Sequence, residues 1–302
     1  MAKSRVSGAV SVTDDDWVFD ALGTRWEITT DRRLPESVRD EVRAEIERID
    51  VAWSRFRADS MVSRMAVAAG VYPVARCDQR LLDWYRTLYD LSDGAVTPLV
   101  GQLLSDAGYD AQYSLRVAPE LRPVPAWSDV IAEHRNELRL RVPALLDVGA
   151  AGKGFAVDQV AGIVAGYTDR YLVDASGDML ISPRDTPVRI ALEHPLNPRM
   201  AIGVFECRGG AVCASASNRR AWADWHHIVH PHSASPAREV LATWVMAPDA
   251  MTADGLATAL FFVPGAQLRT HLSCGDTSFD HVTIRRNGSA EHTAPAGLEL
   301  FL

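Results

Sequence analysis

Positive charge is not in excess in this chain: 39 acidic side chains outnumber 31 basic ones, for a formal charge of -8 over 302 residues. Nucleic acids and anionic membranes are held by broad basic surfaces, so any phosphate bound here must be held locally. No stretch approaches the ~20 apolar residues of a membrane span, because the longest apolar runs are broken by Asp, Gly or Pro. The opening MAKSRVSGAVSVTDDDW lacks the continuous apolar core of a signal peptide, which argues against secretion. Cysteine is scarce. Cys77, Cys207, Cys213 and Cys274 show no CxxC spacing, so neither a disulfide framework nor a thiolate zinc site is indicated, and a reducing cytoplasm fits best. A nucleoside-triphosphate P-loop, a GxGxxG turn, an HExxH pair and a GxSxG elbow are all missing.

What is present is the composition of a globular protein, 47% hydrophobic and 23% charged. Residues 17–30 (WVFDALGTRWEITT) are aromatic and β-branched with Gly23 interrupting them, which predicts a strand pair or a bent strand. Val38, Val42, Ile46 and Ile49 recur at helical spacing over 36–50, and a second helix is expected over 79–92, ended by Asp93-Gly94. LRLRVPALLDVG reads as strands leading into a glycine turn, with a helix over 155–164 beyond it. YLVDASGDMLI, VRIAL, IGVFE and VLATWVMA are short strand-like runs, and TADGLATALFF reads as an apolar helix. Helices and strands mix without strict alternation, which predicts an α+β fold rather than a doubly wound sheet. Residues 1–16 are expected to be a flexible N-terminal segment, and 17–302 one compact, two-lobed unit.

Three segments carry candidate chemistry. In LDVGAAGKGFAVD, Asp147, a glycine turn and Lys153 precede a helix, the arrangement of a phosphate cradle; the plainer alternative is a tight connection with a solvated lysine. In MTADGLATAL, Asp254 and Thr258 are four apart on one helix face, as hard oxygen ligands for magnesium would be. The alternative there is that Thr252 caps the helix and Thr258 is polar surface. Gly255 inside that helix hints at a close backbone approach. DWHHIVHPHSASP holds His226, His227, His230 and His232, but Pro231 divides them and neighbours on a strand point apart, so a preformed zinc set is not expected. One of them, His227 beside the apolar Ile228, is the candidate base.

Taken together and in order, these segments resemble the ApbE family of flavin transferases, over about Phe19 to Val263. ALGTRW is similar to the family's Met-Gly-Thr entry strand, with Leu22 in the methionine position. WSRFRADSMVSRM resembles the segment whose aromatic residue, here Phe56, lines the flavin. AVTPLVGQLL is similar to its Thr-Val-Gly-Pro-Leu turn, which implies that Ala95, Val96 and Thr97 meet FAD through backbone. LDVGAAGKGFAVD is similar to Leu-Asp-Leu-Gly-x-x-Ala-Lys-Gly-Tyr-Ala-Val-Asp, which implies that Asp147 and Lys153 contact FAD and that Ala150 offers its carbonyl to the metal. YLVDASGDML stands for an Asn-x-Gly-Gly-Asp stretch. By the same resemblance Ile228 touches FAD, His227 lies beside the reaction centre, and Asp254 and Thr258 are Mg²⁺ ligands. Where the family carries Asp-Pro-x-Thr-Gly after His-Ile, this chain has His230, Pro231, His232, Ser233 and Ala234. Gly152 replaces an alanine, and Ala257 stands where some members have a further acidic ligand.

The resemblance implies an enzyme that uses FAD as substrate and Mg²⁺ as cofactor. A serine or threonine of an acceptor flavoprotein, in an Asp-Gly-x-(Ser/Thr)-Gly-Ala-Thr type motif, attacks the FMN-side phosphorus and AMP leaves. No nucleic-acid partner and no membrane span are expected. Two readings share the scaffold: an FAD pyrophosphatase giving FMN and AMP, and a flavin-binding module without chemistry. A serine hydrolase using Ser176 or Ser215 lacks the elbow and a third member.

Overall fold

The computed structural model describes residues 15–133, 135, 137–272 and 277–301. Residues 1–14 of the segment expected to be flexible lie outside the described residues, and the first strand begins at Asp15, ahead of the boundary drawn at Trp17. The aromatic stretch forms β1 (Asp15–Ala21) and β2 (Thr24–Thr30), joined at Leu22 and Gly23 with φ of 50° and 69°. A two-residue hairpin needs positive φ at both positions to match the strand twist, which is the reason for the glycine.

Helix α1 (Glu36–Trp53) buries Val42, Ile46, Ile49 and Trp53, and α2 (Met61–Met65) follows with the Ser60 hydroxyl accepting from the Ser63 amide as its cap. Strand β3 (Gly70–Pro73), with β4 (Ile131–Glu133) and β5 (Glu137–Leu140), makes a small peripheral sheet. Between them run α3 (Gln79–Leu91), α4 (Gly101–Asp106) and α5 (Trp127–Val130). Of the strands expected in LRLRVPALLDVG, residues 137–140 alone pair; Pro143, with no N–H to donate, sits in the irregular run that carries the chain to the glycine turn.

Beyond the turn come α6 (Gly152–Ala165), β6 (Tyr171–Asp174), β7 (Met179–Ile181), β8 (Val188–His194), β9 (Asn197–Cys207) and β10 (Gly210–Ala216). Four two-residue strands follow, β11 (Ala221–Trp222), β12 (Trp225–His226), β13 (Val229–His230) and β14 (Ser235–Pro236). The chain ends with β15 (Val240–Ala247), α7 (Ala250–Ala259), α8 (Gly265–Leu272), β16 (Asp280–Arg285), β17 (Ala290–His292) and β18 (Leu298–Leu300).

An eight-stranded sheet in the order β1-β2-β6-β7-β10-β15-β16-β17, antiparallel at each pairing, is the frame. Period-2 alternation divides its side chains between two cores. Val173, Ala211, Cys213 and Val245 pack against α1, α3, α6 and α7, while Leu172, Val212, Trp244 and Met246 pack against the β18-β9-β8 sheet on the other face. The result is an α+β fold of three layers, helices on sheet on sheet. Among the described residues no helix is long and apolar enough to cross a membrane.

Candidate active site

Helices α6 and α7 cross at a glycine. A Cβ on Gly154 would lie 2.1 Å from the carbonyl oxygen of Ala250 and 2.8 Å from Cβ of Asp254, so any side chain there would force the helices apart. The close approach lets the Gly154 amide donate to Asp254 Oδ2 at 2.9 Å. The N-terminal end of α6 thus points its partial positive charge at a carboxylate of this protein. Gly255 has the same role toward α3, since a Cβ there would meet Trp84 Nε1 at 2.3 Å. Helix α7 is capped by Asp249, whose side chain accepts from the Thr252 amide at 2.9 Å, and not by Thr252 itself.

The glycine turn differs from an open phosphate cradle in a definite way. Gly149 donates to Asp147 Oδ1 at 2.7 Å, Ala150 to the Tyr85 hydroxyl at 3.1 Å and Gly152 to the Val148 carbonyl at 2.7 Å. With Gly154 given to Asp254, these four amides are spent within the protein. Lys153 is not a free surface charge: it forms an ion pair with Asp178, which is fully buried in the turn between β6 and β7. Burial opposes the lysine charge, but Asp178 and then Asp254 outweigh it and hold its pKa above the ordinary value.

Around this junction opens a cleft of about 1240 Å³. Leu22 lines it from the first hairpin, Phe56 from the stretch before α2, and Ala95, Val96 and Thr97 from the turn after α3. Asp147, Ala150 and Lys153 line it from the glycine turn, His227 and Ile228 from the segment after β12, and Asp254 and Thr258 from α7. All twelve residues singled out in the sequence therefore share one cavity, although they are spread from the first strand pair to the seventh helix. Ser92 Oγ accepts from the Val96 amide at 2.8 Å and Thr97 Oγ1 from Leu99 at 3.2 Å, which fixes the turn they stand on.

Arg55, Tyr109 and Tyr113 of the wall, and the buried Asp178, escaped the sequence reading. Arg55, buried, bonds Asp147 Oδ2 through Nε at 2.5 Å and the Tyr109 carbonyl through Nη1 at 2.6 Å. Burial works against the Asp147 charge, yet Arg55 keeps its pKa below the usual carboxylate range. A pair 92 residues apart leaves no local signal. Tyr109 and Tyr113 pack on Phe56, Tyr109 edge-on at 5.3 Å and Tyr113 stacked at 5.2 Å, so the aromatic wall is a cluster and not one ring. Asp178, in the Ser176-Gly177-Asp178 turn, completes the acidic pair with Asp254.

The histidines separate. His226 donates through Nε2 to the Ala237 carbonyl at 2.7 Å and accepts from the Ile228 amide through Nδ1 at 3.2 Å, so it braces backbone. His230 packs edge-on against Phe262, and His232 bonds the Asp93 carbonyl at 2.9 Å. His227 faces the cleft, its Nδ1 3.1 Å from the Arg219 carbonyl. A carbonyl can only accept, so Nδ1 carries the proton and Nε2 is left with the lone pair. Burial, then the charges of Arg220 and His226, push its pKa down to about 3.

The donors suit a hard divalent cation. Thr258 Oγ1 and the Ala150 carbonyl oxygen lie 3.4 Å apart, and Asp254 stands one helical turn before Thr258. Burial, then the Asp178 charge, drives the Asp254 pKa well above the ordinary value, against the opposing charges of Lys153, which is paired with Asp178, and of Arg220. A further cation would relieve that imbalance. Among the described residues no group of three or more His, Cys, Asp and Glu is placed to hold a metal; one carboxylate, one hydroxyl and one carbonyl could hold such an ion and would leave positions for water and substrate, as magnesium prefers.

Comparison with known proteins places this site in context. The model of the ApbE family matches residues 22–277. An FAD:protein FMN transferase of Vibrio cholerae is 28% identical over 243 residues, covering 74% of this chain and 73% of that protein. Its counterpart from Klebsiella pneumoniae is 24% identical over 264 residues, covering 79% and 75%. The crystal structure of the ApbE protein from Thermotoga maritima superposes with a TM-score of 0.79 over 93% of this chain and 97% of that one, at 24% identity.

Proposed function

Since this chain belongs to the ApbE family, we propose that it is a magnesium-dependent FAD:protein FMN transferase that moves FMN from FAD to a serine or threonine of an acceptor flavoprotein and releases AMP. The observation that carries the reading is the single cleft that joins the aromatic wall, Asp254 and Thr258 of α7 and a neutral histidine. Asp254, Thr258 and the Ala150 carbonyl would hold the magnesium ion, which supplies positive charge against the pyrophosphate oxygens.

The chain's own groups do the rest. Phe56, Leu22 and Ile228 offer apolar surface to the flavin, and residues 95–97 and Asp147 offer polar backbone and side-chain atoms to the remainder of FAD. His227 Nε2 takes the proton of the acceptor hydroxyl as its oxygen bonds to the FMN-side phosphorus; the bond from that phosphorus to the bridging oxygen breaks, and AMP leaves with the electron pair. A base so placed contributes about 10²- to 10⁴-fold. The low pKa of His227 keeps it unprotonated at neutral pH, and the dinucleotide's negative charge raises its basicity when bound. Cys77, Cys207 and Cys213 are free thiols, which supports the cytoplasm as the working compartment.

The test is magnesium-dependent AMP release and gel fluorescence of an acceptor bearing the family's motif, with wild type, Asp254→Ala and His227→Ala. Wild type labels the acceptor and both variants lose it. Wild-type rates in both variants would defeat the assignment. AMP without label would establish the pyrophosphatase, and tight FAD binding without AMP the flavin-binding module.

A further inference from the structure

The dinucleotide's phosphates need a free positive charge, and the residues first expected to supply it are already committed. Lys153 belongs to Asp178, and the amides of Gly149, Ala150, Gly152 and Gly154 are spent within the protein. Five arginines line the cleft. Arg55 is held by Asp147, Arg57 by Asp50 at 3.0 Å, Arg219 by Glu193 at 2.9 Å, and Arg25 lies 3.9 Å from Glu27. Arg220 alone has no hydrogen bond or ion pair among the described residues.

Its backbone is also unusual. Arg220 closes the turn from β10 to β11 with φ of 45°, a left-handed conformation that glycine or asparagine adopts at lower cost. A long cation is kept where the backbone favours a small residue. Its charge reaches the reaction centre, for it lowers the pKa of His227 and acts on Asp147 and Asp254 as well.

We propose that Arg220 is a substrate-binding residue that grips the pyrophosphate of the dinucleotide through its planar fork of N–H donors, as the free cation of the cleft. This rests on the reading of the cleft as an FAD site. It divides the labour: Lys153 is committed to Asp178, and Arg220 meets the ligand.

The experiment measures FAD and riboflavin affinity by flavin fluorescence, with magnesium present, for wild type, Arg220→Met and Arg220→Gly, with the exposed Arg199→Met outside the cleft as a control of net charge. Loss of a charge-assisted pair should weaken FAD about 10- to 100-fold in both Arg220 variants, while riboflavin, which has no phosphate, and Arg199→Met stay within about twofold of wild type. Arg220→Gly should melt no lower than wild type, which separates lost binding from lost folding. Unchanged FAD affinity in Arg220→Met, or an equal loss for riboflavin, would overturn the proposal. Arg220-dependent FAD binding with no AMP and no labelled acceptor would sink the transferase reading and leave Arg220 standing. AMP release with FAD affinity untouched in Arg220→Met would do the reverse.

Discussion

The α6–α7 crossing and the segment from residue 217 to 236 both line the same cleft and are built on opposite principles. At the crossing, position is over-determined: Gly154 admits no side chain, its amide holds Asp254, Asp158 accepts from the amides of Ala250 and Met251 at 2.8 and 3.1 Å, and the surroundings are core. In the other segment, four two-residue strands are linked through Arg220, Ala223 and Ala234, each with positive φ. Close packing preorganises charged oxygens whose spacing decides chemistry. The short ribbons bury Trp222 and still present Arg220, His227 and Ile228 to the cleft.

Substitutions can break this contrast, and the largest effect belongs to the rigid wall. Asp254→Asn should reduce AMP release by about two to three orders of magnitude. It should at the same time leave the melting temperature without metal unchanged or higher, because it removes a buried charge. Next comes Gly154→Ala, whose Cβ would overlap the Ala250 carbonyl; a loss of about 3 kcal/mol is expected in denaturant unfolding, with activity lost in the folded fraction. If it folds as stably as wild type, the crossing is not the fixed point described here.

How legible these walls were in the sequence follows from the same contrast. Local patterns found the hairpin at Leu22-Gly23, the helix over 36–50 and the helix carrying Asp254 and Thr258, because each is written in spacing within about ten residues. Gly255 was flagged as a close approach, and Trp84 is what it approaches. The family resemblance is borne out by the match over residues 22–277. Tertiary pairing stayed hidden: Arg55 with Asp147, Lys153 with Asp178, and Gly154 with Asp254 join elements that no periodicity connects. Sequence leaves the glycine turn open between a phosphate cradle and a tight connection, because it shows donors but not what they already hold. Strand β10 was missed because GAVCASA is small and weakly β-forming, and its place between β7 and β15 makes it a strand.

Smaller effects test the segment from residue 217 to 236. Because the His227 pKa lies near 3 in the folded chain against an ordinary 6.5, the unfolded state takes up a proton first as pH falls. Its contribution therefore lowers stability from about pH 6.5 down toward 3. His227→Asn should flatten that limb in melts measured across this range, and an unchanged limb would show that His227 is not desolvated in the cleft wall. The smallest change is expected for His232→Ala, which removes one surface bond to the Asp93 carbonyl: less than about 1 kcal/mol of stability and no loss of FAD affinity.

The most direct measurement is the intact mass of an acceptor protein bearing the Ser/Thr motif after incubation with FAD, magnesium and this enzyme, with AMP counted in the same sample. One FMN added per acceptor, matched by one AMP and abolished by chelator, is the predicted result. AMP formed while the acceptor keeps its original mass, or neither product, would contradict the account.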